Sequence, residues 1–180
     1  MNNTSISSGA PKNVTTLFVL TFVLSIPLYI LAIFVPDMEA VASLLFVFTP
    51  MISALILTWR EHGSDGAKEL LIWSFDFKKV RRIIWYAPIL FLMPIIFFAV
   101  YWVLGFIGEA PPESMFPLAM APVLLLMFFV MAAGEEVGWM GYAYAPMEER
   151  WNASRASLIL GIIWFIWHIP VYIFAGGQTL

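Results

Sequence analysis

Five runs of apolar residues dominate the chain, at about 14–35, 41–59, 83–106, 116–142 and 157–174, with short polar stretches between them. Each is long enough to cross a hydrocarbon layer of ~30 Å at ~1.5 Å of helical rise per residue. Period-two alternation is absent, and lipid offers no partner for an open backbone, so the runs predict helices. Pro27, Pro50, Pro88, Pro94 and Pro122 lie inside or at the ends of these runs. Each removes a backbone donor and predicts a kink. The predicted fold is all-α, a polytopic transmembrane helical bundle of about five spans forming a single membrane domain over residues 1–180.

Composition agrees with this pattern. Of 180 residues, 62% are hydrophobic and 12% charged, about half the charged share of a soluble domain. Cysteine is absent, which excludes disulfides and thiolate metal sites. The first apolar run is too long for the core of a signal peptide and no small-residue cleavage site follows it, so it reads as a span. The Asn-x-Ser/Thr triplets at Asn2, Asn3, Asn13 and Asn152 read as chance.

The placement of charge sets an orientation. With the N-terminus in the cytoplasm, all nine Lys and Arg residues fall inside: Lys12, the group from Arg60 to Arg82, Arg150 and Arg155. The outer connections hold no Lys or Arg; their charged residues are Asp37, Glu39, Glu109 and Glu113. Residues 60–82 read either as an ordinary cytoplasmic loop or, over 68–77, as an interfacial amphipathic helix. The expected location is a cell membrane, multi-pass, in a prokaryote.

The chemistry is concentrated in the fourth and fifth runs. Glu135 and Glu136 are adjacent in the sequence Ala-Ala-Gly-Glu-Glu-Val-Gly-Trp-Met-Gly-Tyr, and His168 sits in mid-run. A charged group at the centre of a membrane helix costs at least ~2.5–3.5 kcal/mol, so it reads first as functional. Gly134, Gly138 and Gly141 form one smooth helical stripe that lets another helix or a substrate backbone approach. Glu135 flanks this stripe, and Glu136 points the other way, with Met140. Pro146 marks the expected helix end. On the fifth run Gly161, Trp164, Phe165, His168 and Tyr172 share a face, and Pro170 leaves the Ile166 carbonyl free beside His168.

Antiparallel packing of these two runs brings Glu135 and His168 into one cavity. A carboxylate and an imidazole there suit activation of water, with water as the nucleophile. Each feature alone has a plainer reading: a packed histidine, a solvated acidic pair, a glycine stripe for packing, and a Trp164/Trp167 pair within the core. Their joint occurrence carries the functional one.

Glu135-Glu136 followed by Gly-Trp-x-Gly-Tyr, with Gly161-Ile-Ile-Trp-Phe-Ile-Trp-His168-Ile-Pro170, resembles the CAAX-protease and bacteriocin-processing (CPBP, or Abi) intramembrane proteases, over about 117–180. The resemblance implies a membrane-embedded endopeptidase, of glutamate or metallo type. In it Glu135 matches the base that activates water, and Glu136 the residue that pairs with a motif arginine. His168 matches the partner that holds the water. Trp164 and Gly138 are expected to contact substrate. No cofactor is expected, and zinc is the one ion the donors suggest. The expected partners are a peptide or protein substrate in the membrane and the bilayer itself, with no nucleic acid.

Three departures stand beside the match. Position 140 is Met where the family has Arg, and position 164 is Trp where Phe is usual. The family's third motif, His-x-x-x-Asn or Asp on a later helix, is not found before Leu180, so the sequence reads as a truncated member. These departures predict weakened activity. They leave a second reading, a non-catalytic relative that binds a peptide as bacteriocin-immunity proteins do, and a third, a small transporter relaying protons.

Overall fold

The computed structural model describes residues 13–80, 82–109 and 117–175. Within them lie seven α-helices, no strand, and four helices long and apolar enough to cross a membrane; a bent pair makes a fifth candidate. This is the all-α polytopic architecture read from the sequence. Lys12, Arg81, Glu113 and the first two Asn triplets lie outside the described residues.

The chain divides into two compact units. The larger holds residues up to 74 and from 126 on. It starts with α1 (Val14–Phe34), capped by the Asn13 side chain, which accepts from the Thr16 amide at 3.1 Å. A turn at Pro36–Met38 leads to α2 (Glu39–Phe46) and α3 (Thr49–Ser74).

The run predicted as one helix over 41–59 is therefore split, and its two parts bend by 48°. Pro50 is the cause: it has no N–H to give the Phe46 carbonyl. The Thr49 hydroxyl donates to that carbonyl instead, at 2.9 Å. Pro88 and Pro122, by contrast, lie in the first turns of their helices, where the missing donor breaks nothing. Helices run through Pro27, Pro94 and Pro170.

Helix α3 is two helices joined at Gly63, whose φ of 69° and ψ of −165° are not helical. Pro50 packs on Gly138 and Ser74 on Gly141. A straight helix of this length would hold its ends ~35 Å or more apart, at ~1.5 Å per residue. Contacts to glycines three positions apart require the second half to fold back on the first. Residues 64–74 are thus helical, and Leu70 is buried in the core.

Helix α5 (Ala121–Glu136) passes into a π-helical segment, Val137–Tyr144, and then α6 (Ala145–Trp151). The expected stop at Pro146 is not observed: Pro146 falls in the first turn of α6, where no donor is needed. Asn152 alone joins α6 to α7 (Ala153–Ala175). Its φ of 77° ends one helix, and its side chain accepts from the Arg155 amide at 3.2 Å to begin the next. The Asn152 triplet, read as chance, is this double cap, and α7 starts earlier than the predicted 157.

The core of this unit gathers Leu17, Phe46, Leu57, Trp139, Tyr142 and Trp167. The smaller unit, residues 75–125, contains α4 (Tyr86–Phe106). Asp76 caps the turn before it, accepting from the Lys78 amide at 3.2 Å, and the Tyr86 hydroxyl donates to the Phe77 carbonyl at 2.9 Å. Apolar side chains on every side of α4, including Phe91, Phe97 and Trp102, are exposed, as suits a helix whose solvent is lipid.

Candidate active site

The site is built where the π-helical segment meets the α2–α3 junction. A β-carbon at Gly134 would lie 2.7 Å from the Phe48 ring, and one at Gly138 would lie 2.5 Å from the Pro50 carbonyl. At Gly141 it would lie 2.7 Å from Ser74 Oγ. The glycine stripe is thus a helix–helix contact. Gly138, expected at a substrate surface, is buried against Pro50 backbone. A π-helical turn, rare in proteins and frequent near functional sites, begins one residue after Glu136.

That contact sets the rotation of α5. Glu135 turns inward with a side chain 16% exposed, while Glu136 and Met140 are exposed together on another face. Glu136 makes no ion pair among the described residues. The two adjacent carboxylates therefore differ in surroundings, as the helical angle predicts.

Glu135 meets α7. The indole Nε1–H of Trp164 donates to Glu135 Oε2 at 2.9 Å. Glu135 Oε1 lies 3.9 Å from His168 Nε2. His168 Nδ1 lies 3.0 Å from the Trp164 carbonyl oxygen. A carbonyl only accepts, so Nδ1 carries the proton and, in the neutral ring, Nε2 presents its lone pair towards Glu135. The carbonyl that orients the ring is that of Trp164, not the expected Ile166. Rings pack around His168 on several sides: Trp164 at 4.0 Å between centroids, Trp167 at 4.5 Å and Phe46 at 6.0 Å.

Contacts of Trp167 and Tyr29 hold α7 in place. Trp167 is fully buried and stacks on Phe46 at 4.0 Å. Its Nε1–H donates to Ser25 Oγ at 2.8 Å, and Ser25 lies 2.9 Å from the Thr49 hydroxyl. The Tyr29 hydroxyl donates to the Trp167 carbonyl. A buried polar chain thus ties α1, α3 and α7 together, one residue from His168. Hydropathy alone does not single these residues out. Thr21 and Ser25 in α1, and Thr49 and Ser53 in α3, are small polar residues at i, i+4 spacing within apolar runs. That is the signal of interhelical hydrogen bonding in membranes.

The described residues contain no group of three His, Asp or Glu placed to share a metal ion. Glu135 and His168 offer two donors, and Glu136 faces elsewhere. A catalytic zinc usually takes three protein ligands, one more than the described residues bring together here.

The class these observations define is a helical membrane protein carrying an inward-facing carboxylate and imidazole on adjacent helices. Residues 117–179, which include Glu135, Glu136 and His168, match the family described as Type II CAAX prenyl endopeptidase Rce1-like. The chain is also 28% identical over 132 residues to CAAX prenyl protease 2 of Methanococcus maripaludis. That stretch covers 69% of this chain and 48% of the relative, so the chain spans about half the relative's length. Both matches are to CAAX-processing membrane proteases, the group that the Glu135-Glu136 and His168 motifs resemble.

Proposed function

We propose that this chain hydrolyses a peptide bond in a membrane-associated substrate, with Glu135 and His168 activating water. The observation that carries the reading is the fixed geometry of the pair. A separation of 3.9 Å between Oε1 and Nε2 is too long for a direct hydrogen bond and suits one bridging water. Both atoms are acceptors in this tautomer. They take the two hydrogens of the water, which leaves its lone pairs facing away from them, towards a substrate carbonyl.

On attack the water oxygen bonds to the carbonyl carbon and its proton passes to Glu135. The tetrahedral intermediate then collapses, the C–N bond breaks, and Glu135 returns the proton to the leaving nitrogen. His168 holds the water and accepts positive character as the proton moves. Trp164, 37% exposed beside the pair, lines the approach of the substrate. The likeness to CAAX prenyl protease 2 of Methanococcus maripaludis makes a prenylated CAAX peptide the first substrate to try.

Met140 favours a second reading, a relative that binds a peptide without cutting it, because the exposed Glu136 lacks the family's arginine partner. The test is cleavage of a fluorogenic membrane peptide, with peptide binding measured alongside, by the wild type, Glu135→Gln and His168→Ala. A loss of at least a hundredfold in both variants is expected from removing a general base. Wild-type rates in Glu135→Gln would overturn the hydrolase reading, and binding without cleavage by the wild type would establish the second one.

A further inference from the structure

Trp164 touches both members of the pair through different atoms. Its indole N–H donates to Glu135 Oε2, its backbone carbonyl accepts from His168 Nδ1, and its ring lies 4.0 Å from the imidazole. The i, i+4 spacing on α7 makes this possible. One residue sits a turn before the histidine, so its carbonyl lies under the ring while its side chain reaches across to α5. We infer that Trp164 is the positioning residue of the site, through two separable bonds. The indole N–H selects which oxygen of Glu135 faces His168, and the carbonyl selects which nitrogen of His168 faces Glu135.

The inference rests on the hydrolytic reading for its consequence and on geometry alone for its substance. With Oε2 held by the indole, the carboxylate cannot swing to meet Nε2 directly, and the gap suited to a water stays open. Phenylalanine, the residue usual in the family at this position, keeps the ring and the backbone carbonyl but has no N–H to give. Its presence would leave Glu135 free to rotate about its last bond. Trp164 therefore adds a hydrogen bond to the Glu135 carboxyl that phenylalanine cannot make.

The test compares the wild type, Trp164→Phe and Trp164→His in detergent and in proteoliposomes. His restores an N–H donor at this position. Two readouts are taken. The first is kcat and KM for the membrane peptide. Trp164→Phe is expected to lower kcat on the order of tenfold, with KM little changed and Trp164→His recovering part of the loss. The second is labelling of Glu135 by dicyclohexylcarbodiimide, followed by mass spectrometry, which needs no turnover. The carboxyl released from the indole is expected to label severalfold faster in Trp164→Phe than in the wild type. Unchanged labelling overturns the inference, whatever happens to cleavage. Absence of cleavage by the wild type overturns the hydrolytic reading and leaves the labelling comparison to decide the inference.

Should Trp164→Phe fail to fold, the wild-type chain supplies the measurement. In a 15N-tryptophan spectrum the Trp164 indole signal should shift on Glu135→Gln and stay in place on Glu136→Gln. The chain has two histidines, so a 15N-histidine spectrum separates His168 from His62. His168 should show the proton on Nδ1. An indole signal indifferent to Glu135→Gln, or a proton on Nε2, overturns the inference.

Discussion

The indole N–H of Trp167 on α7 donates to Ser25 Oγ on α1 at 2.8 Å, between two side chains with no exposed surface. Buried donors without acceptors are costly, and lipid supplies none. Ser25→Ala leaves the Trp167 indole unsatisfied and should cost about 1–3 kcal/mol in detergent unfolding. Trp167→Phe removes the donor with some volume. The double variant should lose less than the sum of the two, since the orphaned group is gone. Additive losses would mean that the hydrogen bond contributes nothing of its own. Because Trp167 adjoins His168, Ser25→Ala should also reduce peptide cleavage at a temperature where the chain stays folded.

Gly138→Ala should be among the most damaging small substitutions in the chain. Its β-carbon would lie 2.5 Å from both the carbonyl carbon and the oxygen of Pro50, which are backbone atoms that cannot rotate away. Overpacking of this kind costs roughly 1–3 kcal/mol or more, and here it pushes α5 from α3 and moves Glu135. Gly161→Ala is the control, since nothing lies within 4 Å of its added carbon. The melting temperature of Gly161→Ala should match or exceed the wild type, and that of Gly138→Ala should fall. Equal melting temperatures would sink the close-packing account.

The carboxylate and the histidine were legible because ionisable groups are rare in apolar runs and stand out without a structure. The helices were legible for the same reason: a membrane span is a property of local composition. The break before Thr49 was not, because Pro50 can begin a helix or bend one, and the Thr49 hydroxyl on the Phe46 carbonyl is what decides. The fold-back at Gly63 was hidden too. Loops and short interfacial helices share the mixed composition of residues 60–82, and only packing of Leu70 and Ser74 on the π-helical segment distinguishes them. The stripe of Gly134, Gly138 and Gly141 announced a close approach but not the partner. Helical periodicity gives the face of a residue and stays silent on what meets it.

Met140→Arg tests the surroundings of Glu136. Both side chains are exposed on one face, four positions apart. Introducing the cation should create an ion pair worth roughly 0.2–0.5 kcal/mol at an exposed helical site. The gain should vanish in Met140→Arg combined with Glu136→Gln, so a double-variant cycle on thermal unfolding isolates the pair. Under the proposed function, peptide cleavage by Met140→Arg should also rise. A stability gain that survives removal of Glu136 would assign the effect to the arginine alone.

Gly63→Ala tests whether the fold-back of α3 supports the site. At φ 69° and ψ −165° the position lies where side chains other than glycine are strained, at a cost of about 1–3 kcal/mol. The added methyl meets nothing within 4 Å, so any loss comes from the backbone and not from crowding. The alternative open to the variant is to straighten, which joins 49–62 and 64–74 into one continuous helix. Straightening would withdraw Leu70 from the core and Ser74 from Gly141, and leave the π-helical segment uncovered on that side. Hydrogen exchange should therefore rise over both 64–74 and 137–144 in Gly63→Ala, with α1 and α7 little changed. Faster exchange confined to 64–74 would show that the segment packs on the π-helical turn without supporting it.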